Sequence, residues 1–164
     1  MNNLYELNFD YSSIIPFIII IAIILLYLFR LFKLKRRTIA VRICCALIAI
    51  GCIVFAIVPS VFFINDYKRL KNDVDSGYAM TISGTVQNFH PQDENNNGDT
   101  EHFDINGVHF DYSPDTVTSG YNTPQYDGGV ITGNGQILQI RYVPYETEKS
   151  GDINIIVQID EINA

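Results

Sequence analysis

Two uninterrupted apolar runs dominate the first 64 residues of this chain and restrict what it can fold into. The second run, Ile43–Ile64, has 22 residues, and a helix of that length covers about 33 Å, enough to cross a hydrocarbon core of about 30 Å. The first run, Ile14–Phe29, has 16 residues. It reaches spanning length only by extending to Leu34, with Arg30 and Lys33 reaching back to the headgroups.

These runs predict a two-helix transmembrane hairpin over residues 1–64, with spans of about 12–34 and 42–64. A soluble protein with a buried hairpin is the alternative. It is unfavourable because a chain of 164 residues could not cover two helices that are apolar on every side.

The loop between the runs predicts which way the hairpin points. Short loops rich in Lys and Arg stay on the cytoplasmic side of a membrane. Loop 30–42 holds six such residues, whereas three, Lys68, Arg69 and Lys71, follow the second run. The six are Arg30, Lys33, Lys35, Arg36, Arg37 and Arg42. We therefore expect an inner-membrane protein of the multi-pass type, with the N-terminus and everything after Ile64 outside the cytoplasm.

Charge changes sign along the chain. Residues 1–72 carry nine basic and three acidic side chains, whereas residues 73–164 carry two basic and fifteen acidic ones. A domain with this acidic excess repels phosphate backbones, so nucleic acid is excluded as a partner. The expected partners are the membrane and another envelope or membrane protein.

All three cysteines fall in the second apolar run, so the acidic domain must be stable without disulfides. Small residues recur there at spacings of four, three and four, which places them on one helix face: Cys45, Ala49, Cys52 and Ala56. Such a face lets another helix approach closely. It predicts a packing seam for the first helix, with a homo-oligomer contact as the alternative.

The second helix is expected to continue beyond the membrane as a connector over residues 65–77. Tyr67, Leu70 and Val74 keep a helical apolar stripe, and Gly77 is suited to end it. Residues 78–164 then form the extracytoplasmic domain, held near the bilayer.

Alternating apolar residues predict that this domain is all β. The runs are residues 80–88, 101–105, 108–112, 137–143 and 154–160. Five short strands favour a small OB- or SH3-like barrel, closed or nearly closed, with a small two-sheet β-sandwich as the alternative. In the first run, Met80, Ile82 and Val86 share the predicted inner face.

Asn106-Gly107 between two alternating runs predicts a hairpin with a two-residue type I′ turn. That register pairs Phe103 with Phe110 and Ile105 with Val108 on one apolar face. The opposite face then pairs polar residues: Asp104 with His109, and His102 with Asp111.

Several motifs resemble a group of small bacterial membrane proteins that combine N-terminal transmembrane helices with a β-rich C-terminal domain. The similar segments are Gly84–Pro91, Glu101–Phe103, Asn106–Ser113, Gly128-Gly129 and Ile140–Tyr142. The resemblance covers residues 65–162 and implies this architecture, but it assigns no catalytic residue. This chain departs from the group in its polar insert, Gln92–Thr100.

Three features of the predicted β domain are candidate sites. For His102, Asp104, His109 and Asp111 we expect cross-strand pairing, with a divalent transition-metal site as the alternative. Loop Asp93–Asp104 matches the first half of a calcium loop, through Asp93, Asn95, Asn97 and Asp99, yet lacks flanking helices. We expect a plain polar loop there, and for the long segment Ser113–Gly135 an ordered cover on the core, with a recognition surface as the alternative.

Catalytic patterns are lacking in the sequence: there is no nucleophile elbow, no cysteine outside the apolar run and no phosphate loop. We therefore expect no enzyme, no cofactor, and no catalytic, cofactor-binding or metal residues. The predicted function is an interaction or structural module presented outside the cytoplasm. A membrane-anchored envelope hydrolase and a weak calcium-binding surface domain are the alternatives.

Overall fold

The computed structural model describes residues 1–9, 14–33, 39–96, 98–116, 118–147 and 151–162. The remaining positions, among them Leu34, Lys35, Arg36, Arg37 and Asn97 of the predictions above, lie outside the described residues. The chain divides into two compact units. One is helical, Phe9–Asn65, and the other combines Met1–Asn8 with Asp66–Ala164.

Helix α1 runs over Ile15–Lys33 and helix α2 over Ile39–Asp75. Of the described helices, one is long and apolar enough to cross a membrane, and that helix is α2. The apolar part of α1, Ile15–Arg30, is shorter than the apolar helix that is needed to cross a membrane. The two predicted spans therefore exist as helices, but length and composition identify one of them as a spanning helix.

The small-residue face of α2 is covered unevenly. Ala49 and Ala56 are buried within the chain itself, whereas Cys45 is half-buried and Cys52 is exposed. Two of the four small residues are therefore covered, and the predicted packing seam for the first helix, like its homo-oligomer alternative, stays a prediction.

The C-terminal turns of α2, from Asp66 onward, belong to the β unit. Leu70 is fully buried in a small apolar cluster with Val143 and Val157. The helix ends at Asp75, and the predicted stop residue Gly77 follows two positions later with a φ of 80°, in the left-handed region. The amide of Tyr78 donates to the carbonyl of Asp73 at 2.9 Å, the hydrogen bond of a Schellman C-cap.

Seven described strands form two antiparallel sheets. The four-stranded sheet has the order β1-β7-β6-β2, and the three-stranded sheet has the order β3-β4-β5. The strands are β1 (Asn2–Glu6), β2 (Met80–Thr85), β3 (Gln87–His90), β4 (Glu101–Ile105), β5 (Val108–Tyr112), β6 (Ile137–Thr147) and β7 (Gly151–Glu161).

The main core joins apolar side chains from both sheets. Its buried residues include Phe103, Phe110, Ile131, Leu138 and Ile140. Two antiparallel sheets that share one core are compatible with the sandwich alternative. The described strands form no closed barrel, so the predicted OB- or SH3-like barrel is not confirmed.

The run 80–88 differs from its prediction because it is split between the sheets. Val86 lies between β2 and β3, where the chain passes from one sheet to the other, and its side chain is buried. Its amide donates to the carbonyl of Gln136 at 2.9 Å. Met80 is 51% exposed and does not join the predicted inner face. A change of sheet breaks the period-2 alternation, so a single strand was the wrong interpretation.

Strand β1 was not predicted at all. It pairs with β7 in register from Asn2 opposite Glu161 to Glu6 opposite Gln158, with an irregularity between Asn3 and Tyr5. Residues 1–8 therefore belong to the β unit rather than to the helical hairpin to which the sequence analysis assigned them.

The predicted hairpin is confirmed in every pair. Phe103 lies opposite Phe110, Ile105 opposite Val108, and Asp104 opposite His109. In the turn, φ is 47° at Asn106 and 83° at Gly107, as a type I′ turn demands.

Candidate functional site on the outer face of the three-stranded sheet

A β-bulge in β3 determines which side chains reach the outer face of this sheet. Gln87 lies opposite Asp104 and His90 lies opposite His102, so β3 has one more residue than β4 between the same two pairs. The bulge turns Phe89 toward the core and His90 toward the outer face. Asn88 absorbs the extra residue with a φ of 52°, a conformation that Asn tolerates better than most residues.

This bulge completes a row of three imidazoles, which we call the histidine row: His90, His102 and His109. They are all the histidines of the chain. The rings of His90 and His102 are stacked with centroids 4.7 Å apart, and those of His102 and His109 lie 5.7 Å apart. One residue of the row comes from each strand of the sheet.

Carboxylates flank the row and hold two of its rings. Asp104 Oδ1 lies 2.7 Å from His109 Nδ1, while Asp104 Oδ2 accepts a 2.7 Å hydrogen bond from the Asn88 side chain. These hydrogen bonds, that of Asn88 above all, hold the pKa of Asp104 below its usual range. Asp99 Oδ1 lies 3.5 Å from His90 Nε2.

The expected polar set is thus brought together, with one change of partner. Asp111 lies opposite His102 in register, as predicted, but His102 Nδ1 lies 3.4 Å from the carbonyl oxygen of Thr100. The third histidine, His90, was missed because a bulge cannot be read from strand alternation. The signal that pointed to it was Asn88, a residue suited to positive φ inside an apparent strand.

The acidic loop that begins at Asp93 satisfies its own carboxylates. Asp93 Oδ1 accepts from the amide of Asn95 at 2.9 Å, and Asp99 Oδ2 accepts from the amide of Asp93 at 2.7 Å. The amide of Asp93 is also the main reason that the pKa of Asp99 is lowered. Asn97, one of the four candidate calcium ligands, lies outside the described residues. The expected plain polar loop and its calcium-binding alternative are therefore both untested.

The inner face of the same hairpin hides a polar network that the sequence analysis missed. Glu101 is fully buried. It accepts a hydrogen bond from the Tyr112 hydroxyl at 2.5 Å and another from the amide of Gln125 at 2.8 Å. Strand alternation carried the signal, because Glu101 has the same parity as Phe103 and Ile105.

Neighbouring tyrosines extend this network. The ring of Tyr121 contacts those of Tyr5 and Tyr112, with centroids 5.0 and 5.1 Å away. Burial raises the pKa of Tyr5 and of Tyr121 to about 12. Burial, helped by the hydrogen bond to Glu101, also raises the pKa of Tyr112.

Segment Ser113–Gly135, in its described part, packs on the core as an ordered cover. Tyr121 and Ile131 are buried in the main core, and the Tyr121 hydroxyl accepts from the amide of Val130 at 2.7 Å. Tyr126 is instead 48% exposed. Tyr121 and Ile131 therefore pack as expected of an ordered cover on the core, whereas the Tyr126 side chain is largely in solvent.

One further cavity, of about 180 Å³, lies beside the end of α2. Its charged lining is balanced, with Glu6 and Asp75 against Lys71 and Arg141. The Arg141 guanidinium already donates to the carbonyl of Val74 at 2.9 Å. The charges that line this cavity therefore balance one another, and they do not indicate a particular ligand.

Among the described residues, no group of three or more His, Cys, Asp or Glu side chains could hold a metal ion. Comparisons with protein-family models, with curated proteins and with solved structures found no match for this chain. What the protein does must therefore be inferred from its own residues and their geometry.

Proposed function

We propose that this chain is a two-pass membrane protein that presents its acidic β domain outside the cytoplasm as an interaction or structural module. The observation that carries the proposal is the pairing of β1 with β7. It joins the chain before the helices and the chain after them in one folded unit.

The helices expose an apolar surface that suits lipid better than water. Leu26 is 66% exposed on α1, and Phe55 is 79% exposed on α2. Soluble monomers rarely expose contiguous apolar patches above a few hundred Å². In a hydrocarbon environment these side chains do not contact water, so the free-energy cost of exposing them to water is removed.

The β1–β7 pairing supports two crossings rather than one. If α2 crosses the bilayer, residues 1–8 and residues 66–162 can share a sheet only when the chain also crosses in the opposite direction. Helix α1 is available for that crossing: its 19 residues cover about 28 Å, close to a hydrocarbon core of about 30 Å.

Basic residues support an outward-facing β domain. The six in loop 30–42 favour a cytoplasmic loop. Of the three competing residues, Arg69 pairs with Asp66 at 2.9 Å and lies 4.3 Å from the centre of the Tyr145 ring. Lys71 lies 3.6 Å from Asp75. Local contacts within the β unit therefore account for two of the three.

The hydrogen bonds of the carboxylates in the β domain support a module without catalysis of its own. The buried carboxylate of Glu101 is engaged in holding the cover, through Tyr112 and the amide of Gln125. No observation on the described residues favours the envelope-hydrolase alternative. The calcium alternative is not favoured either, because Asp93 and Asp99 accept hydrogen bonds from amides of their own loop.

Single-cysteine labelling tests the proposal. In a background with Cys44, Cys45 and Cys52 changed to serine, Asn2→Cys and Glu94→Cys should react with an impermeant maleimide in intact cells. Thr38→Cys should react only after permeabilisation.

The two β-unit positions control for each other because the β1–β7 pairing requires them to lie on one side. Labelling of Asn2→Cys and Glu94→Cys from opposite sides would refute the two-pass arrangement. Labelling of both only after permeabilisation would keep two passes and reverse the orientation.

A further inference from the structure

We propose that strand β2 is a contact between two copies of this chain, in which Met80–Ile82 pairs antiparallel with the same residues of a second copy. The inference deepens the proposed function, on which it rests for the idea of an interaction module, by naming the partner. The contact lies within the β unit and does not depend on which side of the membrane that unit occupies.

The backbone of β2 presents hydrogen-bonding groups away from its own sheet. β2 is the last strand of the four-stranded sheet, and β6 is its neighbour. Just beyond β2, the amide of Val86 donates to the carbonyl of Gln136 and its carbonyl accepts from the amide of Gly135, both on the β6 side. Since the direction of these groups alternates along a strand, those of Thr81 and Ser83 point away from β6.

Side chains or irregularities cover the other described sheet edges. The Asn154 side chain donates to the carbonyl of His109 on β5 at 2.8 Å, and the Asn134 side chain accepts from the amide of Phe89 on β3 at 2.9 Å. Strand β1 is irregular and ends in the charged residue Glu6. Such devices keep an edge strand from pairing with another chain.

The edge of β2 is protected over part of its length. The Asn106 side chain donates to the carbonyl of Ser83 at 2.8 Å, which covers the end near the hairpin turn. At the other end, no hydrogen bond from the described residues outside the sheet reaches the Thr81 backbone. Tyr78 and Met80 are 56% and 51% exposed there. The unprotected part is therefore the first half of β2.

Charge favours a second copy over a different partner at this edge. Residues 76–92 contain no Asp, Glu, Lys or Arg, although residues 73–164 carry fifteen acidic and two basic side chains. Two copies repel each other over most of this acidic surface, so the uncharged edge is where they can approach. A basic partner would instead be attracted to the acidic surface.

The hydrogen bond from Asn106 sets the register of the pair. With Met80 opposite Met80 of the copy, Ile82 lies opposite Tyr78, and the pairing ends before Ser83. This arrangement is symmetric about a two-fold axis, as the contact of a closed dimer requires. It brings the exposed apolar side chains of both copies together, and anchoring of both copies in one membrane raises their effective concentration.

Disulfide crosslinking in native membranes tests the register. In a full-length chain with Cys44, Cys45 and Cys52 changed to serine, Met80→Cys should form a crosslinked dimer on mild oxidation. Opposed residues of this kind have Cα atoms about 4.5 Å apart, within the range of a disulfide. Thr85→Cys, at an exposed position on the same strand, should not crosslink. Its two copies would be about 34 Å apart, since ten residues separate them at about 3.4 Å each.

Variants that block the edge test the contact without a crosslink. Energy transfer between donor- and acceptor-labelled full-length copies in lipid vesicles measures the affinity, with the label at Glu94→Cys in the cysteine-free background. Thr81→Pro removes an outward amide and Met80→Lys opposes two charges, so each should weaken the affinity roughly tenfold or more. The matched changes Thr85→Pro and Tyr126→Lys should leave it unchanged.

Absence of a crosslinked dimer at Met80→Cys, or equal crosslinking at Thr85→Cys, would overturn the proposal. Energy transfer that persists in both Thr81→Pro and Met80→Lys would also overturn it. Such a result would place the contact between copies elsewhere, as on the helix face that carries Ala49 and Ala56.

Two controls keep these outcomes distinct. Met80→Lys keeps the test valid if Thr81→Pro does not fold, because half of the Met80 side chain is already in solvent, and a melting temperature verifies the fold of each variant. Labelling of Asn2→Cys and Glu94→Cys from opposite sides would refute the two-pass arrangement, whereas the crosslinking results decide the contact between copies.

Discussion

The two faces of the β4–β5 hairpin differ on the same ten residues of strand: the inner face is buried and apolar except for Glu101 and its partner Tyr112, and the outer face is polar. On the inner face, Phe103, Ile105 and Phe110 are fully buried. On the outer face, Asp104 and His109 make their hydrogen bond while remaining partly exposed. Alternation thus lets one strand pair supply the core and a polar site at once. The faces should therefore respond differently to substitution and to pH.

The largest difference is expected between Phe103→Ala and His102→Ala, neighbours on opposite faces. Removing a buried phenylalanine side chain typically costs about 3–5 kcal/mol in the free energy of unfolding. A partly exposed residue away from the core usually changes it by less than about 0.5 kcal/mol. Denaturant unfolding of the full-length protein in detergent measures both, and similar losses would mean that the faces are misassigned.

Alkaline pH should destabilise the buried tyrosines that pack beside the inner face, where Tyr121 contacts Tyr112 of β5. Because the pKa of Tyr5 and of Tyr121 is raised to about 12, each favours the folded state fully below its ordinary pKa of about 10. That contribution is lost as pH rises from 10 to 12 and can reach about 2 kcal/mol for each tyrosine. Tyr5→Phe should flatten the decline in melting temperature over this range, whereas Tyr78→Phe, a change at a side chain that is 56% exposed, should leave it unchanged.

The buried carboxylate offers a further test of the inner face. Tyr112→Phe removes the hydroxyl that donates to Glu101. A buried acceptor left without its partner costs about 1–3 kcal/mol. Adding Glu101→Gln to this variant should lose less than the sum of the two single changes, because both remove the same interaction. Strictly additive losses would show that the two groups do not interact.

The turn that holds the faces in register can be broken directly. Gly107 has a φ of 83°, which a β-branched residue resists. Gly107→Val should cost about 1–3 kcal/mol, the general scale for strained backbone. Gly107→Asn should cost less, since asparagine tolerates positive φ. Equal costs for the two variants would mean that the type I′ turn is not required.

The sequence revealed features that depend on local pattern. Asn106-Gly107 gave the turn and the register, and Gly77 gave the end of α2. Features that depend on distant pairing were missed. Strand β1 is short and polar, and only its partner β7 makes it a strand.

The candidate site also divides into residues that local pattern predicts and one that it does not. His102, Asp104, His109 and Asp111 share a face by simple alternation, and the sequence placed them correctly. His90 reaches that face through the extra residue at Asn88, and alternation cannot foresee a bulge. The predicted closed barrel is not confirmed for a related reason, because the number of strands does not show that the chain changes sheets at Val86.

The smallest expected effect lies on the outer face, at acid pH. The pKa of Asp104 is lowered from its ordinary value of 3.8, chiefly by the hydrogen bond from Asn88. A lowered pKa means that the carboxylate stabilises the fold above that value and that the contribution is lost as pH falls below it. Asp104→Asn should therefore cost about 0.2–1 kcal/mol at pH 7, the range of a cross-strand pair, and less at pH 3. Asp111→Asn makes the same charge change on the same face without touching the Asn88 hydrogen bond. If both variants lose stability equally at both pH values, the effect reflects the general charge of the acidic domain, and the outer face has no specific electrostatic pairing.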